Sequence, residues 1–160
     1  MTILRRCMEL LDGNGVHYSH TRHANAYRAR DVAFAEHLPP HRLAKTVIFC
    51  ADKSYGIALL PADRIVDLEE LAEHLGASRI RLATVSEVVK LIPDSEAGAM
   101  PPFGVLFDLP VYMDQRLAEE KYIVFSAGTH RDAIHMRLTD YLRLAKPLIL
   151  RFSHREAKVA

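Results

Sequence analysis

Leu43-Ala44-Lys45-Thr46-Val47-Ile48-Phe49-Cys50, Ala51-Asp52-Lys53-Ser54, Tyr55-Gly56-Ile57-Ala58-Leu59-Leu60-Pro61: two apolar runs flank four turn-forming residues, the pattern of a β-hairpin. Alternation puts Lys45 on the same face as Val47 and Phe49, so a lysine opens an otherwise apolar stripe. Such a lysine either reaches water along its own methylenes or stands as a single charge at the mouth of a pocket.

On the N-terminal side of the hairpin, Ile3, Leu4, Cys7, Met8 and Leu11 recur at helical spacing, and Asp12-Gly13-Asn14-Gly15 stops the helix. A strand is expected from Val16 to about His23. Its three histidines, 17, 20 and 23, invite a zinc reading, but on a strand His20 points away from the other two. Surface histidines are the better account. A short helix is expected from Asp31 to Leu38, ended by Pro39-Pro40.

On the C-terminal side, Asp67 caps a helix through Leu71 and Leu75 that Gly76 ends. Arg79 to Leu82 alternates like a half-buried strand, and Thr84 with Glu87 forms a capping box for a helix that runs to Pro93. Gly98-Ala99-Met100-Pro101-Pro102-Phe103-Gly104 follows. Glycine admits close approach to the main chain and paired prolines fix φ, so this loop is stiff and shaped. Val105-Leu106-Phe107, Val111-Tyr112-Met113, Lys121 to Ser126 and Ala133 to Leu138 read as strands, and Thr139 caps a last helix that Pro147 stops. Interspersed strands and helices joined by short turns predict an α+β fold with a mixed, mostly antiparallel sheet surrounded by helices. One domain over residues 1–160 is expected, its core about 10–147 and its tail 148–160.

With 160 residues, 49% apolar and 26% charged, the composition is that of a soluble globular protein. A net charge of +1 excludes a strongly basic nucleic-acid protein while permitting a local basic patch. Cys7 and Cys50 lack metal-ligand spacing, no secretory signal is visible and no run is long enough to span a bilayer, so a cytoplasmic location is expected. No Ser-His-Asp set, Cys-His pair or metal cluster stands out, and no cofactor is expected.

Three features together resemble the YbaK/ProX-type aminoacyl-tRNA deacylases, whose domain also occurs as an insertion in bacterial prolyl-tRNA synthetases. These are Ala44-Lys45-Thr46-Val47-Ile48-Phe49, the glycine-x-x-x-proline loop Gly98-Ala99-Met100-Pro101-Pro102, and the strand end Ser126-Ala127-Gly128. Their order and spacing match from about Leu10 to Pro147, and Gly98-Ala99-Met100-Pro101-Pro102-Phe103 with Asp140-Tyr141-Leu142-Arg143 looks like the YeaK-like free-standing branch. The resemblance implies hydrolysis of the ester joining a wrong, small amino acid of the alanine, serine or cysteine class to tRNA. It makes Lys45 the essential lysine and Gly98 and Pro102 the motif residues of the pocket. Met100, Pro101, Phe103 and Gly128 are expected beside the substrate, with His130, or alternatively His135, as the histidine after Ala-Gly. Aminoacyl-tRNA is the implied partner, with an aminoacyl-tRNA synthetase as a possible second. Phosphate contacts are expected from Arg22, Arg28, Arg30 and Arg42, and from Arg143, Lys146, Arg151, Arg155 and Lys158. The alternative is a non-catalytic module that uses the same pocket to bind a small ligand or a synthetase.

Overall fold

Thr2 starts the first helix by accepting a hydrogen bond from the Arg5 N–H at 3.1 Å, which satisfies one of the free donors of the first turn. In this computed structural model, which describes residues 1–156, α1 (Ile3–Gly13) leads into β1 (Tyr18–Arg22) and α2 (Ala29–Ala35). The hairpin β2 (Ala44–Ala51) and β3 (Ser54–Pro61) follows, closed by Asp52 and Lys53, both at positive φ as a tight two-residue turn requires. Next come β4 (Arg64–Val66), α3 (Leu68–Leu75), β5 (Ile80–Leu82) and α4 (Val85–Leu91), with the expected caps at Asp67, Gly76 and Thr84. After the Gly98 loop the chain forms β6 (Val111–Asp114), β7 (Tyr122–Ser126), β8 (Asp132–Arg137), α5 (Leu138–Ala145), β9 (Leu148–Leu150) and β10 (Ser153–Arg155).

The hairpin is the centre of a five-stranded sheet, β5-β2-β3-β6-β9, in which β3-β6 and β6-β9 run parallel and the other pairs antiparallel. A second sheet, β1-β8-β7, is wholly antiparallel, and β4 pairs with β10. The main core lies between the inner faces of the two large sheets: Ala44, Leu59 and Met113 meet Phe125, Ile134 and Met136, with Cys7 and Leu11 of α1 and Tyr141 of α5. Helix α2 packs Val32 and Ala33 on the outer face of the three-stranded sheet, and α3 packs Leu71 on the outer face of the five-stranded one. Both cysteines are free and buried, and burial pushes the Cys7 thiol up to about 12.

Four local expectations need correction. Val105 is not in a strand: Gly104–Leu106 is a 3₁₀ turn, and the Gly98 loop is therefore held between α4 and that turn rather than between strands. Helix α2 stops before the prolines, because His37 takes φ 58° and the Leu38 N–H returns to the Ala33 carbonyl at 2.9 Å. Arg137, not Thr139, occupies the cap of α5. Part of the expected tail is built into the fold, since 148–150 extends the five-stranded sheet and 153–155 pairs with β4, whereas Lys158 lies outside the described residues.

Candidate active site

Lys45 and Gly98 line one cleft. Leu43, just ahead of β2, makes an isolated parallel bridge with Val124 of β7, and the pairing does not continue. Antiparallel register directs the main-chain groups of Leu43, Lys45 and Val47 toward β3, so those of Thr46 face away from the hairpin, toward the opening beside β7. The cleft sits there, between Lys45 and Thr46 of β2, Ser126 at the end of β7, Gly98 and Met100 of the loop, Tyr27, Ala29 and Val32 at α2, and His130. It is narrow, with about 20 Å³ of free volume, room for a water, so an amino acid enters only as its walls part.

The Lys45 side chain is half-buried and takes part in none of the ion pairs among the described residues. Burial lowers its pKa; Glu156 and Asp63 nearby oppose that shift and Arg30 adds to it. Gly98 has φ +81° and open space where a Cβ would stand, so a ligand can approach its main chain. Neither the Gly98 nor the Met100 N–H finds an acceptor among the described residues, and both residues line the cleft.

The loop is anchored to the Ala127-Gly128 turn by two main-chain bonds, Gly128 N–H to the Ala99 carbonyl (2.6 Å) and Glu96 N–H to the Gly128 carbonyl (3.0 Å). Farther along, the buried Pro102 carbonyl accepts from the Tyr141 hydroxyl at 2.7 Å. Phe103 is fully buried, its ring 5.6 Å from Phe125 and 5.3 Å from Tyr141. Of the residues expected at the substrate, then, Lys45, Gly98, Met100 and His130 reach the cleft. Pro101, Pro102, Phe103 and Gly128 do not line it, and they hold the loop from behind.

The two candidate histidines differ in their partners. The His135 ring lies 2.7 Å from the Glu36 carboxylate, at the end of α2. His130 stands at the cleft with its ring centroid 4.8 Å from that of Tyr27. The turn carrying His130 is fixed by Asp132, whose side chain is 6% exposed and meets Thr129 Oγ1 (2.6 Å) and His20 Nε2 (2.6 Å). Burial raises the Asp132 pKa, but those hydrogen bonds and Arg22 outweigh it and leave the carboxyl below its ordinary value. His20 is thus occupied by an acid, and no group of three metal-binding side chains occurs among the described residues.

A larger groove of about 1040 Å³ lies at the hairpin tip and β5, lined by Asp52, Lys53, Arg79 and Arg81. Two of these four charged side chains are engaged: Asp52 accepts from the Ser78 and Arg79 N–H groups, and Arg81 binds Glu87 at 2.6 Å. The small cleft instead brings together a cation outside the ion pairs of the described residues and two residues whose N–H groups find no acceptor among them.

A lysine at a strand edge facing a glycine-proline loop, on two packed sheets, defines the class of protein: an editing-domain fold with a cleft built for a small group. The model of the aminoacyl-tRNA editing domain matches residues 23–144, and the chain belongs to that family of ester hydrolases. It is 30% identical over 154 residues to the multifunctional Ser/Thr-tRNA deacylase ProXp-y of Escherichia coli strain K12, covering 92% of this chain and 91% of that protein. It is also 35% identical over 100 residues to a proline–tRNA ligase of Sulfurihydrogenibium, where it covers 61% of this chain and only 17% of the ligase. Among solved structures, one described as a candidate trans-editing enzyme for prolyl tRNA synthetase superposes with a TM-score of 0.82 at 22% identity, covering 98% of this chain and 99% of that one. The hypothetical protein APE2540 gives 0.85 at 16% identity, covering 93% and 99%. Both share the fold.

Proposed function

We propose that the cleft hydrolyses the ester linking tRNA to a small, hydroxyl-bearing amino acid, serine first among the alanine, serine and cysteine class. The observation that carries this reading is that one cleft is lined by Lys45, which joins no ion pair among the described residues, and by Gly98 and Met100, whose N–H groups find no acceptor among them. Lys45 binds a phosphate or ribose oxygen of the acceptor end and so orients the ester. The two N–H groups hold the carbonyl oxygen as negative charge develops on it. Thr46 and Ser126 at the wall form no side-chain hydrogen bond with another described residue, so their hydroxyls are available to the substrate's own. The Ser/Thr-tRNA activity in the name of the E. coli relative supports the same choice.

No side-chain nucleophile is hydrogen-bonded to a base in this cleft. The attacking oxygen therefore comes from a bound water, since attack by the ribose hydroxyl beside the ester would only move the acyl group to that hydroxyl. The water oxygen adds to the carbonyl carbon, the bond to the ribose oxygen breaks, and that oxygen leaves with a proton. The similarity to a segment of proline–tRNA ligases supports a place beside a synthetase, in trans.

Single-turnover deacylation of tRNAs charged with serine, threonine, alanine, cysteine and proline tests the reading. Fastest release of serine is expected. Release of alanine at the same rate would refute the hydroxyl preference, and no release from any member would favour a non-catalytic binding module.

A further inference from the structure

Helix α2 turns an aromatic ring to solvent. Val32 and Ala33 face the sheet, whereas Phe34 is 85% exposed, more than any other large apolar side chain among the described residues. Tyr27, just ahead of the helix, is 67% exposed, with one side of its ring against His130 and its place at the mouth of the cleft. Arg30 and Phe34, four residues apart, share one side of α2, and Tyr27 stands ahead of its extended cap residue Arg28, so the two rings bracket this short helix.

The surroundings of the two rings are cationic. Arg28 caps α2 and Arg30 lies on it, Arg42 follows on the connection to β2, Lys45 stands at the start of that strand, and Arg131 is tied to the same segment through Asn25 at 2.9 Å. Opposing them are Asp31, paired with Arg28, and Glu156, paired with Arg30, both at the exposed surface. Isolated aromatic rings separated by arginines do not make the continuous apolar patch that a protein partner buries. They do match a single-stranded nucleic acid, whose bases stack on rings while its phosphates meet cations.

We propose that Tyr27 and Phe34 are stacking platforms for the unpaired 3′ end of tRNA, Tyr27 for the terminal base and Phe34 for a base before it. This rests on the editing reading of the cleft, because the ester on the last ribose fixes where the strand begins. From there the strand runs out along α2, with Arg28, Arg30 and Arg42 beside its phosphates.

The test compares seryl-tRNA with seryl-adenosine as substrates for the native protein, Phe34→Ala and Phe34→Trp. Phe34→Ala is expected to lose roughly tenfold in kcat/KM on seryl-tRNA, mainly through KM, and nothing on seryl-adenosine, with Phe34→Trp restoring the rate. Unchanged kinetics on seryl-tRNA, or an equal loss on both substrates, would overturn the proposal. So would a loss of synthetase association with tRNA kinetics intact, since that would assign the face to a protein. If the native protein hydrolyses neither ester, the editing reading has failed, and the platform is judged by binding alone. A ribo-oligonucleotide ending in CCA, with 2-aminopurine in place of the base before the terminal one, should be quenched by the native protein and not by Phe34→Ala. No quenching by the native protein would overturn the platform itself.

Discussion

Gly128 donates its main-chain N–H to the carbonyl of Ala99 at 2.6 Å, and this bond joins the end of β7 to the loop that carries Gly98. Two of the three motifs in the sequence are therefore a single structural unit. Gly128 has φ +100°, and a Cβ there would come within 3.1 Å of the Leu4 N and 3.2 Å of Ile3 Cβ at the start of α1. Gly128→Ala should therefore lower stability by about 1–3 kcal/mol and shift the loop. Urea unfolding, with deacylation measured on the fraction that remains folded, checks both effects.

Tyr141 reaches the loop from the opposite side. Its hydroxyl satisfies the buried Pro102 carbonyl, and Tyr141→Phe leaves that carbonyl without a partner at an almost unchanged volume. A loss of about 1–3 kcal/mol is expected on denaturation, together with slower deacylation, because the prolines set the position of Gly98. A variant as stable and as active as the native protein would show that the loop holds its shape without this bond.

Glu36 ties α2, one wall of the cleft, to the three-stranded sheet. Its side chain is 4% exposed and accepts from Thr21 and His135. Burial pushes its pKa up, but these hydrogen bonds and the histidine charges outweigh that, so the carboxyl lies below its ordinary value. A depressed folded-state pKa means that the stabilisation is complete above the unfolded value of about 4.3 and is lost as pH falls through the folded one. Between pH 7 and 3 the urea midpoint of the native protein should fall more steeply than that of Glu36→Gln. Parallel curves would show that Glu36 does not contribute to acid unfolding.

His37 ends α2 at φ 58°, a geometry that glycine adopts without strain. His37→Gly should raise stability by about 1 kcal/mol, read as a higher thermal midpoint, with α2 unchanged. An unchanged or lower midpoint would mean that the His37 side chain makes a compensating contribution.

The hairpin, the capped helices α3 and α4 and the amphipathic α1 were legible because each carries its own local signal: alternation, Asp67, the Thr84–Glu87 box, or helical spacing. The strands β4, β9 and β10 have three residues each, too few for a period, and exist only through their partners. Val105-Leu106-Phe107 shows the ambiguity of a short apolar run, which tertiary packing here resolves as a 3₁₀ turn. In the site, Lys45 and the Gly98 loop stood out by residue type. Thr46 and Ser126 belong to two of the quoted motifs but were not expected at the cleft, and Tyr27 carried no signal; their place depends on the chain parting from β7 after the Leu43–Val124 bridge, which nothing local signals. Phe103 and Gly128, expected beside the substrate, stand outside the cleft in the packing that carries the loop.

The central claim is that Lys45 orients the ester in the cleft. Single-turnover hydrolysis of seryl-tRNA by the native protein and by Lys45→Ala, with folding checked by circular dichroism, tests it most directly. The account predicts a loss on the order of a hundredfold in a fully folded variant. It also predicts that native activity declines at a lower alkaline pH than an ordinary lysine would give, because burial lowers the pKa and the bound form is the cation. A folded Lys45→Ala protein that clears seryl-tRNA at the native rate would contradict the account.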